Sequence, residues 1–462
     1  MRRLLPALLA FLPVPVFAQA LTPAELAQVD KAVTDALADT GVPSASIAIV
    51  RGGRLVLSKA YGKQCERCGA PDPRLPYQIA SVSKQFTAAA LLLLEDDGKL
   101  SLDDTVAKHL PGIIGGERIT LRQLLNHTSG LQDYWPQDYS FRAMASPVTP
   151  QGILDRWAKK PLDFAPGTQW QYSNTGYVVA GLIAEKAAGE PLLAFLDRRV
   201  FRPLGIRAVD QDKAVGPGFP QGYKRHALGP VRVETPAADG WLYAAGELSM
   251  SAEDLAKWNI ARLNRALLPA DDWAAQETPV RLAGGAATGY GLGVQVGQNA
   301  GRRFVEHSGE AVGFLSENVV LPDQKAAVTV LVNAWFADAH VRIANALAQI
   351  ALAPPSANTA DATALKRARQ VYEQLRAGTL DRALLTDNAN YYFNDAVQAD
   401  YRASLQPLGE PTAFAQIGPA RPRGGFVGRS FRVTYPDRAL RISTFVDPAN
   451  GRLEQFLVSP AQ

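Results

Sequence analysis

Residues Ala88 to Leu94 run Ala-Ala-Ala-Leu-Leu-Leu-Leu without one polar position. A helix on a protein surface needs only one apolar stripe, whereas a helix that is apolar all round has to be buried. The pattern predicts a helix from Ser81 to about Asp97, stopped at Gly98, deep inside a domain large enough to enclose it. That helix opens with Ser81-Val82-Ser83-Lys84. Its serine and lysine, three positions apart, share one face one turn from each other.

The surrounding elements follow from local patterns. Thr22-Pro23-Ala24-Glu25 is a capping box with proline at the first helical position, and the helix it starts ends at Gly41. Ala45 to Val50 and Leu55 to Lys59 read as a hairpin around Arg51-Gly52-Gly53-Arg54. From about 100 to 280 the signals are mostly helical. They include a short helix at Thr120–Asn126, one capped by Asn174 and running through Ala188, one from Pro191 to Phe201, and one from Ser251 to Asn264. Strand patterns return at Gly291–Val296, Arg303–Glu306, Phe314–Leu321 and Ala326–Val332, and Ala337–Leu352 is helical. Ala353-Pro354-Pro355-Ser356 begins a linker, taken as residues 354–363. Residues 364–462 read as a small α+β module: a helix at Leu365–Ala377, then strands at Arg429–Thr434, Ala439–Phe445 and Leu453–Val458.

Three short segments carry chemistry. In a dry site Lys84 can lose its proton and take one from Ser81, and backbone N–H groups at the helix start favour an oxyanion. Ser81 alone would be only a helix cap. The second segment is Tyr172-Ser173-Asn174: a tyrosine near a lysine can shuttle a proton to a leaving group, and Asn174 can hold a substrate carbonyl or orient the lysine. The third is His307-Ser308-Gly309 at the end of a strand, where a backbone edge can pair with an extended substrate. The N–H of Glu310 would join that of Ser81 in an oxyanion hole. The combination points to acyl transfer through a serine ester. There is no Gly-x-Ser-x-Gly elbow, no His-Glu-x-x-His and no phosphate loop, and His109, His127, His226, His307 and His340 have no metal-ligand spacing.

The ordered set Ser81-x-x-Lys84, Tyr172-x-Asn174 and His307-x-Gly309 resembles the class C β-lactamase and penicillin-recognising serine hydrolase superfamily. The flanks Leu124-Leu125-Asn126-His127-Thr128-Ser129-Gly130, Phe164-Ala165-Pro166-Gly167 and Gly289-Tyr290-Gly291-Leu292-Gly293 agree with it, over about residues 25 to 350. The resemblance implies an α+β fold, an antiparallel sheet flanked by helices with an inserted helical subdomain (β-lactamase/transpeptidase-like). It makes Ser81 the nucleophile and Lys84 with Tyr172 the base and acid. Asn174, His307, Ser308 and Gly309 become substrate-binding. No metal or cofactor is implied, and the partner is a small-molecule or peptide substrate, peptidoglycan-derived ones included. β-Lactamases of this group usually carry Lys-Thr-Gly at the third segment. His-Ser-Gly resembles instead the D-alanyl-D-alanine carboxypeptidase, D-aminopeptidase and esterase members. A true β-lactamase, or a non-catalytic binder of peptidoglycan-like ligands or penicillin, is the alternative.

Charge argues against nucleic acid as a partner: the net charge is only +4, or +2 without Arg2 and Arg3. Those two arginines, the apolar stretch Leu4–Phe17 and Ala18-Gln19-Ala20 read as a signal peptide over residues 1–20, giving an exported, periplasmic or secreted domain over 21–353 with no transmembrane anchor. Cys65 and Cys68, the only cysteines, sit in a polar loop with no helix starting at them. They read as a local disulfide rather than a redox motif or a zinc site.

Overall fold

The structure, a computed structural model, describes residues 20–299, 301–352 and 359–461, so residues 1–19 of the signal-peptide reading and the start of the linker lie outside the described residues. The chain divides into two compact units, Met1–Ala353 and Pro354–Gln462.

The first unit is built on six antiparallel strands: β1 (Ser44–Arg51), β2 (Arg54–Gly62), β3 (Gln295–Asn299), β4 (Arg302–Ala311), β5 (Phe314–Leu321) and β6 (Ala326–Val332), in the order β2-β1-β6-β5-β4-β3. All eight residues of β1 are buried, because both faces of the sheet are covered. Ile47 and Ile49 face helices Pro23–Thr40 and Ala339–Ala351, while Ala48 and Val50 face a larger core containing helices Lys84–Asp96 and Ala252–Leu263. Within the Lys84–Asp96 helix every residue from Lys84 to Leu94 is buried, as the all-apolar run requires. Cys65 and Cys68 are joined by a disulfide. Among the described residues no helix is long and apolar enough to cross a membrane.

Several boundaries differ from the sequence reading. Gly291–Val296 is not a strand; β3 starts at Gln295. Gly293, at φ 74°, backs onto the Lys84 carbonyl so closely that a Cβ would lie 2.7 Å from its oxygen, and the chain turns there before it can extend. The cap of helix Asn174–Ala188 is Ser173, whose hydroxyl accepts from the Gly176 N–H, leaving the Asn174 side chain free for other contacts. The expected helix Pro191–Phe201 is α-helical only over Leu192–Leu196 and continues as a π turn at Asp197–Phe201. Residues 359–363, assigned above to the linker, already belong to helix Thr359–Ala377.

The second unit holds four antiparallel strands in sequential order: β7 (Ala413–Arg423), β8 (Phe426–Thr434), β9 (Ala439–Val446) and β10 (Leu453–Pro460). Its core, including Val371, Tyr372, Phe431, Val433, Ile442 and Phe456, joins one face of this sheet to the helices.

Candidate active site

Ser81 lies in a 3-10 turn, Ala80–Ser83, and the α-helix proper begins at Lys84. The turn is strained: Ala80 has φ 49°, a left-handed value that a Cβ disfavours. It is held from two sides by residues that lack a side chain. A Cβ on Gly309 would lie 2.2 Å from the Ile79 oxygen, and one on Gly246 would lie 3.3 Å from the Ala80 carbonyl carbon. The Ser316 hydroxyl completes the clamp by donating to the Ile79 oxygen at 3.0 Å. Strand β4 is thereby pressed against the turn that presents Ser81.

The Lys84 side chain is wholly buried. Its Nζ lies 2.9 Å from Ser81 Oγ, 2.8 Å from Asn174 Oδ1 and 2.7 Å from the Ala245 carbonyl oxygen. Two of these partners can only accept. A neutral amine has two N–H bonds and one lone pair, so donation to Asn174 and Ala245 aims the lone pair at the one partner that can donate, the Ser81 hydroxyl. Burial pushes the Lys84 pKa down to about 7, opposed in part by the charge of Asp133.

Tyr172 completes the cluster. Its ring centroid is 4.9 Å from Lys84 Nζ, and its phenol is near enough to Ser81 to interact with it. Burial raises the phenol above its ordinary range, so it stays protonated. Asn174 is oriented by Asp133: Nδ2 donates to Asp133 Oδ2 at 3.2 Å, and the Asn174 backbone N–H donates to Oδ1 at 3.0 Å. Asp133 was not singled out in the sequence, where it is one carboxylate in a long loop.

His307 is buried. Nδ1 is 2.5 Å from the Ser308 carbonyl oxygen, so it carries the hydrogen, and Nε2 accepts from the Tyr290 hydroxyl at 2.7 Å. Burial, with repulsion from Lys84 second, lowers its pKa to about 3, so it is a neutral wall and not a partial cation. Its ring centroid is 6.2 Å from that of Tyr172. Ser308 alternates to the opposite face of β4, where it is exposed; what it brings to His307 is its carbonyl, not its hydroxyl. Strand β3 pairs with β4 only as far as Glu306, so that edge is not taken by β3 along Ser308, Gly309 and Glu310.

Sequence reasoning also left His127 without a role. It adopts φ 63° and accepts the Ser173 N–H at Nδ1. Its ring lies 4.2 Å from that of Tyr172 and 4.8 Å from that of Tyr290, centroid to centroid, which locks the tyrosines of two segments together. Its place in a turn ending Thr-Ser-Gly, and Tyr290 between two glycines, were the only signals.

The six-stranded antiparallel sheet and its helical layers define the α+β β-lactamase fold, and a C-terminal antiparallel sheet module is added to it. A family model described as Beta-lactamase matches residues 29–353, and the chain belongs to that family, as a β-lactamase-family serine hydrolase. It is 30% identical over 275 residues to Penicillin-binding protein 4* of Bacillus subtilis, a match covering 56% of this chain and 60% of that protein. It is 29% identical over 335 residues to the D-aminopeptidase of Brucella anthropi, covering 68% and 60%. The chain thus spans about three fifths of the length of the curated relatives it matches. Among solved structures, a D-stereospecific amidohydrolase from Streptomyces sp. is 30% identical with a TM-score of 0.59, covering 69% of this chain and 96% of that one. A penicillin-binding protein homologue from Pyrococcus abyssi is 20% identical with a TM-score of 0.62, covering 95% and 96%, a likeness of fold.

Proposed function

We propose that the protein is an exported hydrolase that cleaves an amide or ester of a D-amino acid through an acyl-Ser81 intermediate. The observation that carries this reading is the buried Lys84 amine 2.9 Å from Ser81 Oγ, with its two other contacts, Asn174 Oδ1 and the Ala245 carbonyl, both acceptors. In the acylation step Nζ takes the Ser81 proton as Oγ bonds to the substrate carbonyl carbon. The oxyanion that forms is assigned to the N–H groups of Ser81 and Glu310. As the carbonyl re-forms, the carbon–nitrogen or carbon–oxygen bond breaks, and the proton passes from Lys84 by way of the Tyr172 phenol to the leaving group. Water then attacks the ester, Lys84 accepts its proton, and Ser81 leaves with a proton returned.

Substrate polarity follows from charge. A neutral His307 gives no cation for a substrate carboxylate, which argues against β-lactams and C-terminal carboxylates. Glu310, at the end of β4, is pushed up to about 7 by burial and by the charge of Asp138; a substrate's free amine beside it would favour the carboxylate again, so the site favours such an amine. The D configuration is supported by the names of the amide-cleaving relatives. Export is supported by the leader-like sequence of residues 1–20 and by the Cys65–Cys68 disulfide.

The test compares D-alanine p-nitroanilide with its L-enantiomer, its N-acetyl derivative and a chromogenic cephalosporin, with intact-mass detection of an adduct on Ser81. The expected result is turnover of the free-amine D substrate and none with Ser81→Ala. Equal rates for the enantiomers would remove the D-specific reading, and equal rates for native protein and Ser81→Ala would remove the acyl-enzyme.

A further inference from the structure

We propose that the uncovered face of the C-terminal sheet is a binding site for a chain-like ligand bearing repeated phosphate groups. One face of this sheet is buried against helices through Phe431, Val433, Ile442 and Phe456. The other lines an open trough of about 1120 Å³. Five arginines line it, Arg421, Arg423, Arg429, Arg432 and Arg441, and among the described residues no aspartate or glutamate does.

The register sharpens this. Arg432 and Arg441 are direct cross-strand partners on β8 and β9. Residues so paired point to the same face with Cβ atoms roughly 5 Å apart, and like charges there destabilise the sheet. A sheet that keeps such a pair and places no carboxylate beside it is built for an anion from outside. Arg441 donates to the Ser430 hydroxyl, at 3.1 Å, and to no carboxylate among the described residues, and Arg423 lies over the Phe445 ring at 5.8 Å. Unlike Arg432 and Arg441, other arginines of the same unit pair with acids: Arg376 with Glu373 and Glu410, and Arg438 with Asp437.

The chemistry of the ligand follows from the donors. Every cation lining the trough is arginine, whose planar fork matches oxyanions in two-point contact. A carboxylate is satisfied by one such fork, whereas a phosphate has oxygens enough to accept from two guanidinium groups at once, which suits the Arg432–Arg441 pair. Arg421 and Arg423, on β7, extend the charge beyond one group, so the ligand is a chain of phosphates. The trough is concave, so a soluble chain reaches its floor better than a flat bilayer does.

The experiment titrates the full-length protein with inorganic tripolyphosphate by calorimetry at two salt concentrations, with citrate and phosphatidylglycerol vesicles as separate arms. The variant is Arg432→Gln with Arg441→Gln, and the control is Arg438→Gln, outside the trough. The expected result is saturable tripolyphosphate binding that weakens with salt, falls at least tenfold in the double variant and is unchanged in the control, with citrate binding more weakly. The far-UV circular dichroism of the double variant matches that of the native protein and its thermal melt is no lower, which shows that the sheet folds; nitrophenyl-ester turnover, which reports the other unit, stays at the native rate. No tripolyphosphate binding, or equal binding by native protein and the double variant, overturns the proposal. Citrate binding as tightly overturns the phosphate class, and binding to vesicles without binding to tripolyphosphate overturns the soluble chain in favour of a lipid surface.

Discussion

If burial makes Lys84 a base, the pH dependence of acylation has to report it. An amine with the ordinary pKa of 10.5 is free in only about one molecule in three thousand at pH 7. With its pKa lowered to about 7, roughly half is free, a gain on the order of 10³ in active base. The rate of Ser81 acylation by a short-chain nitrophenyl ester should therefore rise about tenfold per pH unit up to a midpoint near 7 and then level off. The fold should show the reciprocal effect. Below pH 10.5 the unfolded chain holds a proton that the folded site releases above about 7, so raising the pH through that window stabilises the native state. Over the full window the effect is about 5 kcal/mol or less. Lys84→Arg keeps a cation that cannot be deprotonated, and should cost at least about 10³-fold in rate and remove the limb. Stopped-flow acylation from pH 5 to 9, with chemical denaturation of native and Lys84→Arg protein across pH 6 to 10, measures both. A flat native rate from pH 5.5 to 8.5, or a limb that survives in Lys84→Arg, would refute the assignment.

Asp133→Asn should move the acid limb to lower pH, because the charge of Asp133 now holds the Lys84 proton on, and should lower the plateau because the Asn174 amide is no longer oriented; the same pH series reads both. Gly309→Ala should cost about 1–3 kcal/mol in denaturant melts and, through displacement of the Ser81 turn, about 10²-fold in rate, since the new Cβ meets the Ile79 oxygen and Ser316 Oγ, the latter at 2.3 Å. Replacing Cys65 and Cys68 with serine closes no long loop, so the loss of stability by thermal melting should be at most about 2 kcal/mol, with ester turnover unchanged.

What the sequence made legible was whatever short-range pattern determines. Phe314–Leu321 and Ala326–Val332 coincide with β5 and β6, because alternating and apolar runs bounded by Gly313, Pro322 and Lys325 leave little choice of ends. Ser81, Lys84, Tyr172 and Asn174 each stand in a recognisable short motif, and the structure gathers their side chains around the Lys84 amine. Asp133 and His127 were illegible because their roles exist only after two segments meet: Asp133 is 41 residues from the Asn174 it orients, and His127 is 46 from the Ser173 it accepts from. Asn174 was read as the cap because asparagine caps helices well, but Ser173, one position earlier, is the residue that does so. The ordinary pKa of histidine lies near neutrality, so sequence alone leaves the charge of His307 open; the fold shows that Tyr290 and the Ser308 carbonyl satisfy it as a neutral ring.

The two constraints that first appeared separate in the sequence, an all-apolar helix and a serine–lysine pair, are physically one. Were the Lys84–Asp96 helix amphipathic, it would lie at a surface, water would reach Nζ, and the amine would remain protonated at neutral pH. Burial alone would not suffice either, because a desolvated lysine with no oriented partners has no reason to face the hydroxyl. The Ala245 carbonyl and the Asn174 amide supply that orientation, and both arrive from segments that pack on the helix. The strained Ala80 turn then lifts Ser81 out of the apolar layer, and it can persist only because Gly309 and Gly246 leave room for its backbone. A serine and a lysine at this spacing on an exposed helix of another protein should therefore be inert, however well the motif matched.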